Sequence, residues 1–197
     1  MFLPKFAKKN DEQDAVTFNI DSLTTSEIAK EGKYSGVRIK IDAFLGTMRQ
    51  TLQIDIGFGD IVTPKPIFMV YPTLLVMNQP HIWAYSIESV IAEKFEAMID
   101  LAETNSRMKD FYDVYQLLQS NNFQKDILQE AIIQTFRKRQ TIFKIQHPLF
   151  NESFATDDKR LLQWQVFFRK TKLEISLDFQ LVMEAIRDNL LPFYERV

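Results

Sequence analysis

Lys94, Arg107, Lys109, Asp110 and Asp113 have the residue types and the spacing to act on an anion. Helical spacing of about 100° per residue puts Lys94 in the middle of an apolar arc made by Ile87, Val90, Ile91, Ala97, Met98 and Leu101. An ammonium is costly to bury unless it is paired or reaches an anion. Lys94 must therefore reach out to water, meet a carboxylate or point into a cleft. Arg107, Asp110 and Asp113 recur every third residue, so they share one side of a following helix with Val114 and Leu117. Two arrangements satisfy this pattern. One is a structural clamp in which Lys94 and an aspartate pin two helices. The other is a cationic site for an anionic ligand such as a triphosphate, with Arg107 and Lys109 beside Lys94 and Asp110 or Asp113 orienting the lysine.

Asp55 is the second place where chemistry is possible. It lies between Ile54 and Ile56 on the opposite face of a strand, just before Gly57 and Gly59. A carboxylate at a strand end suits a magnesium ligand or a general base. The plainer alternative is a solvent-facing acid on an edge strand. Asp60 fits a turn cap. The glycines follow no recognised phosphate-loop spacing. Arg137, Lys138 and Arg139 close one helix and Arg169, Lys170 and Lys172 another, where cations favour the helix dipole more simply than they imply RNA contact. His81 and His147 have no visible catalytic partner.

The elements that position these residues can be read from periodicity. Ser86 to Leu101 reads as a helix capped by Ser86, and Asn105 or Ser106 caps the next one. On the first helix Glu88, Glu93, Glu96 and Asp100 take the side opposite the apolar arc. On the second, Met108, Phe111, Tyr112, Tyr115 and Leu118 form the main core stripe. Upstream, Val16, Phe18 and Ile20 alternate as a short strand, and Leu23 to Lys33 reads as loop or a single helical turn. Val37, Ile39 and Ile41 alternate with charged residues, as do Leu52, Ile54 and Ile56 with polar ones, which predicts an antiparallel pair turning near Gly46. Ile67 to Tyr71 adds a strand. Helical spacing returns over Phe123 to Lys138, Asp157 to Lys170 and Leu177 to Tyr194.

Length and composition limit the rest. A chain of 197 residues, 46% apolar and 25% charged, is that of a soluble globular protein with one sizeable domain or two small ones. No run is long enough for a membrane span and Met1 to Asn10 lacks a signal-peptide core, so the expected location is cytoplasmic. Zero cysteines exclude disulfides and thiolate metal sites, leaving hard ions on carboxylates. A net charge of −2 gives no overall attraction to nucleic acid.

The run Tyr85-Ser-Ile-Glu-Ser-Val-Ile-Ala-Glu-Lys-Phe-Glu-Ala-Met98, continued by Asn105-Ser-Arg-Met-Lys-Asp-Phe-Tyr-Asp113, resembles the AbiEii/AbiGii nucleotidyltransferase toxins of bacterial abortive-infection and toxin–antitoxin systems. Leu52-Gln-Ile-Asp-Ile-Gly-Phe-Gly-Asp60 with Pro64 and Pro66, Tyr34 to Ile41 and the helix around Trp164 extend the likeness over nearly the whole chain. The resemblance implies an α+β fold: an incomplete nucleotidyltransferase-like mixed sheet with flanking helices over residues 1–105, amino-terminally truncated, then a helical bundle over 106–197. It implies transfer of a nucleotide from an NTP, with magnesium, to a tRNA acceptor, and a cognate antitoxin. Matched residue by residue, Asp55 is the third metal acid, Lys94 the lysine at the triphosphate, and Asp110 or Asp113 the later motif aspartate, with Asp110 preferred. The family's Gly-Gly-Ser/Thr turn and paired acids have no counterpart before Asp55. Asp11 and Asp14 lack the preceding turn, Asp21 stands alone, and roughly one hundred residues of the family's amino end have no match, by comparison with the length a strand-helix-strand unit requires. The expectations are a fragment, a sheet completed by another chain, or a non-catalytic remnant or interaction module that binds nucleotide, RNA or a partner. An uncovered apolar sheet surface also implies self-association.

Overall fold

A computed structural model describes residues 15–30, 34–59, 62–173 and 177–197. The chain divides into two compact units, residues 1–60 and 61–197. Asp11, Asp14 and Asp60 lie outside the described residues.

In the first unit, β1 (Val16–Lys30), β2 (Tyr34–Leu45) and β3 (Met48–Gly57) form an antiparallel sheet in that order. The β2–β3 register sets Ile39 opposite Ile54 and Ile41 opposite Leu52, so the alternating apolar residues of both strands meet on one face. Leu45 pairs with Met48, leaving a two-residue turn in which Gly46 adopts φ +58°. The polar stretch after Leu23, expected as loop or helical turn, is strand as far as Lys30. Thr24, Thr25 and Ser26 pair with Lys40, Ile39 and Arg38, and the ladder satisfies the backbone that the side chains' polarity hides from a sequence reading. A register shift between Asn19 and Thr24 is held by side chains. Asn19 Oδ1 accepts from the Asp21 N–H, and the Ser22 hydroxyl donates to the Asn19 carbonyl and accepts from the Asp42 N–H.

The second unit opens with a two-stranded hairpin, β4 (Ile67–Val70) against β5 (His81–Ala84), with Val70 opposite His81. β5 is too short to show a period, and only its partner makes it a strand. Among the described residues six α-helices follow: α1 (Ile87–Leu101), α2 (Met108–Ser120), α3 (Lys125–Arg139), the single turn α4 (Glu152–Ala155), α5 (Asp158–Thr171) and α6 (Phe179–Tyr194). Helix α1 packs against α2 and α3, and α2 against α6, so one core joins Phe95, Phe111, Ile132 and Ile186. The fold is α+β, with both sheets antiparallel among the described residues.

Ser86 caps α1, accepting from the Ser89 N–H at 3.2 Å. The cap of α2 differs from expectation. Arg107 occupies that position without a side-chain bond, and Asn105 instead accepts the Arg107 N–H at 2.8 Å, shaping the turn before the helix. The acids of α1 also differ from expectation. Glu88 and Glu96 are buried, because these two face α3 instead of water. Glu88 accepts from the Gln124 N–H at the start of α3. Glu96 takes Arg139 at 2.7 Å and the Thr141 hydroxyl at its end.

Candidate functional site

Helices α1 and α2 bring Lys94, Asp110 and Asp113 together. The Lys94 ammonium lies 2.5 Å from Asp110 Oδ1 and 3.0 Å from Asp113 Oδ2. The same Asp113 oxygen also takes Lys109, one turn back on α2, at 2.5 Å. The register makes this possible. Asp110 and Asp113 are three residues apart on one face of α2, and Lys94 sits on the face of α1 that packs against it.

The site is partly open. Lys94, Asp110 and Asp113 keep 23%, 16% and 22% of their side-chain surface, against 71% for Lys109. Burial pulls the Lys94 ammonium down, but its hydrogen bonds to Asp110 and Asp113 and their charge outweigh that and hold its pKa above the ordinary lysine value. An ammonium has three N–H donors. With two directed at the aspartates, one is left for an incoming acceptor. Arg107 is exposed one turn before Asp110 and forms no ion pair among the described residues.

Asp55 belongs to the other unit. It stands directly opposite Arg38 in the β2–β3 ladder, and the guanidinium grips both its oxygens at 2.9 Å. Gln53 Nε2 adds a longer contact of 3.4 Å. The magnesium site implied by the sequence resemblance does not fit the described residues. Both Asp55 oxygens are engaged by an arginine, and no group of three or more acidic or histidine side chains able to hold an ion occurs among those residues.

Sequence reasoning missed several groups that secure these helices. Arg139 ends α3, as its position predicts, and from there also reaches Glu96 and, at 3.6 Å, Glu93. His147, left without a role, is buried and accepts the Leu149 N–H on Nδ1, and its pKa is pushed down by burial and by Lys144. Arg160 is buried at the start of α5. Nothing in spacing marks the contacts of Arg139 with Glu93 and Glu96, which join segments far apart in the chain.

A family model described as "Nucleotidyl transferase AbiEii toxin, Type IV TA system" matches residues 3–185. No curated protein and no solved structure matches the chain.

Proposed function

The chain belongs to the AbiEii nucleotidyl transferase toxin family, and from that premise we propose that Lys94 and its neighbours hold the triphosphate of an NTP for nucleotidyl transfer to an RNA acceptor of the tRNA class. One observation carries the proposal: an ammonium fixed by two carboxylates of the next helix, yet still open to solvent with a donor to offer. In this reading Asp110 and Asp113 orient Lys94, and the exposed Arg107 and Lys109 add positive charge where the phosphates lie. Lys94 then neutralises the charge that grows on the departing pyrophosphate as the acceptor oxygen bonds to the α-phosphorus. Asp55 enters as a metal acid by resemblance alone, and its grip by Arg38 gives it no step here. Membership of a toxin–antitoxin family also implies an antitoxin counterpart. NTP and tRNA as substrates would place the work in the cytoplasm. No helix among the described residues is long and apolar enough to cross a membrane.

The engagement of Asp55 by Arg38 favours a second reading, in which the chain binds nucleotide, RNA or a partner without transfer. Incubation with each labelled NTP, magnesium and total tRNA separates the two. Labelled RNA is the expected product. NTP binding without labelled RNA at any protein concentration leaves only the second reading, and absence of NTP binding removes the nucleotide from both.

A further inference from the structure

We propose that Arg160 is a positioning residue for the Lys94 site, fixing the elbow between α1 and α2 and so the approach of Lys94 to its two aspartates. The nucleotide part of this inference rests on the function proposed above. The structural part does not.

Arg160 is only 6% exposed, and its guanidinium is directed mainly at main-chain oxygens. Nη1 donates to the Phe154 carbonyl at 3.0 Å and Nη2 to the Glu103 carbonyl at 3.2 Å. Its central carbon lies 3.6 Å from the centroid of the Phe154 ring. Asp157 Oδ1 is 3.5 Å from Nη1 and caps α5 through the Arg160 N–H, so the side chain is anchored at its own base. Glu103 belongs to the 3-10 turn Ala102–Thr104 that joins the two site helices. At that turn Ala102 takes φ +42°, and Asn105 then holds the first N–H before α2.

The physical need is clear. The carbonyl that Arg160 takes lies in the turn just past the end of α1, where the negative end of the helix dipole favours a cation. The guanidinium holds its donors in a rigid fork, so Nη1 and Nη2 reach carbonyls of two separate elements in one set geometry that a lysine's ammonium does not reproduce. The 3-10 turn Pro148–Phe150 packs against the same elbow, and His147 Nδ1 shapes its start by accepting the Leu149 N–H. Helices are stiff, so a shift at the elbow moves Asp110 and Asp113 together relative to Lys94. A buried arginine that served stability alone would leave the lysine's titration untouched when replaced.

The test follows Lys94 directly. In the full chain, the side-chain resonances of Lys94 are titrated by NMR in the parent, Arg160→Met, Arg160→Lys and, as a control that loosens the first unit instead, Ile39→Ala at a buried position of β2. The titration midpoint should fall towards the ordinary lysine value in Arg160→Met and partly so in Arg160→Lys, while Ile39→Ala leaves it in place. Binding of ATP with magnesium should weaken about tenfold in Arg160→Met, the scale expected for a slightly displaced positioning group. An unchanged Lys94 midpoint in folded Arg160 variants overturns the inference. If Arg160→Met does not fold, Arg160→Lys and Phe154→Leu, which removes the ring under the guanidinium, decide by the same midpoint. A parent that binds none of the four NTPs sinks the proposed function, and the Lys94 titration still judges Arg160.

Discussion

At the scale of single residues, the two aspartates around Lys94 make its charge a contributor to stability as well as to binding. Its folded pKa lies above the ordinary 10.5 despite the opposing effect of burial. The stability gained is therefore complete below pH 10.5 and is lost as pH rises through the raised value. Urea midpoints of the parent should drop in that alkaline window more than those of Lys94→Met. Lys94→Met should cost about 1–3 kcal/mol, because it leaves two part-buried carboxylates short of a partner. It should also weaken NTP binding by about 10- to 100-fold, the value of one charge-assisted hydrogen bond. Calorimetric titration with NTP checks this, and retained affinity would reduce the cluster to a clamp. His147 has the opposite sign. Burial lowers its folded pKa below the ordinary 6.5, so the unfolded chain binds its proton first and stability falls as pH drops below 6.5. His147→Gln should flatten that slope in the window above about pH 5, before carboxylates protonate.

At the scale of elements, α1 is held along its whole length. Its first turn is tied to α3 by Glu88. Burial pushes that carboxyl up, but the N–H groups of Gln124 and of Glu88 itself, with the Ser86 hydroxyl, hold it below its usual value. The middle is tied by Glu96, 3% exposed, to Arg139 and Thr141, and the end by Arg160 through the turn that follows. A helix this confined can present Lys94 in one geometry. Arg139→Met should destabilise the protein by about 3 kcal/mol in urea unfolding, because a buried carboxylate loses its countercharge. Glu96→Gln should cost less, since the amide oxygen can still accept from Arg139 while its NH2 donates to the Thr141 hydroxyl, and no buried carboxylate is left without a countercharge. Equal losses would show that packing, and not charge, holds α1 to α3.

At the scale of the whole molecule, apolar surface is distributed unevenly. Every residue of β3 is exposed, including Leu52, Ile54 and Ile56. The loop between β4 and β5 shows Leu74 and Val76 as open as in an extended chain, at 103% and 108%, and Trp83 of β5 is 70% exposed. Residues 66–87 contain no Asp, Glu, Lys or Arg to keep such a surface apart from another. Surfaces of this kind serve interfaces or aggregate. Light scattering should show self-association that Ile54→Lys or Leu74→Ser with Val76→Ser reduces, and a clean monomer at high concentration counts against it.

The sequence by itself determined what local periodicity can determine: the five long helices, the β2–β3 pair with its turn at Gly46, and a lysine on an apolar arc followed by acids spaced to meet it. Each depends on residues close in the chain, where 2.0- and 3.6-residue periods translate directly into faces. Only the tertiary structure decided that both Asp110 and Asp113 hold Lys94, that Arg38 grips Asp55, that polar residues beyond Leu23 continue a strand, and that Glu88, Glu96, His147 and Arg160 are interior. These outcomes depend on which distant segment arrives opposite each group. A charge with no partner in its own neighbourhood looks the same in sequence whether water or a buried counterion will finally meet it.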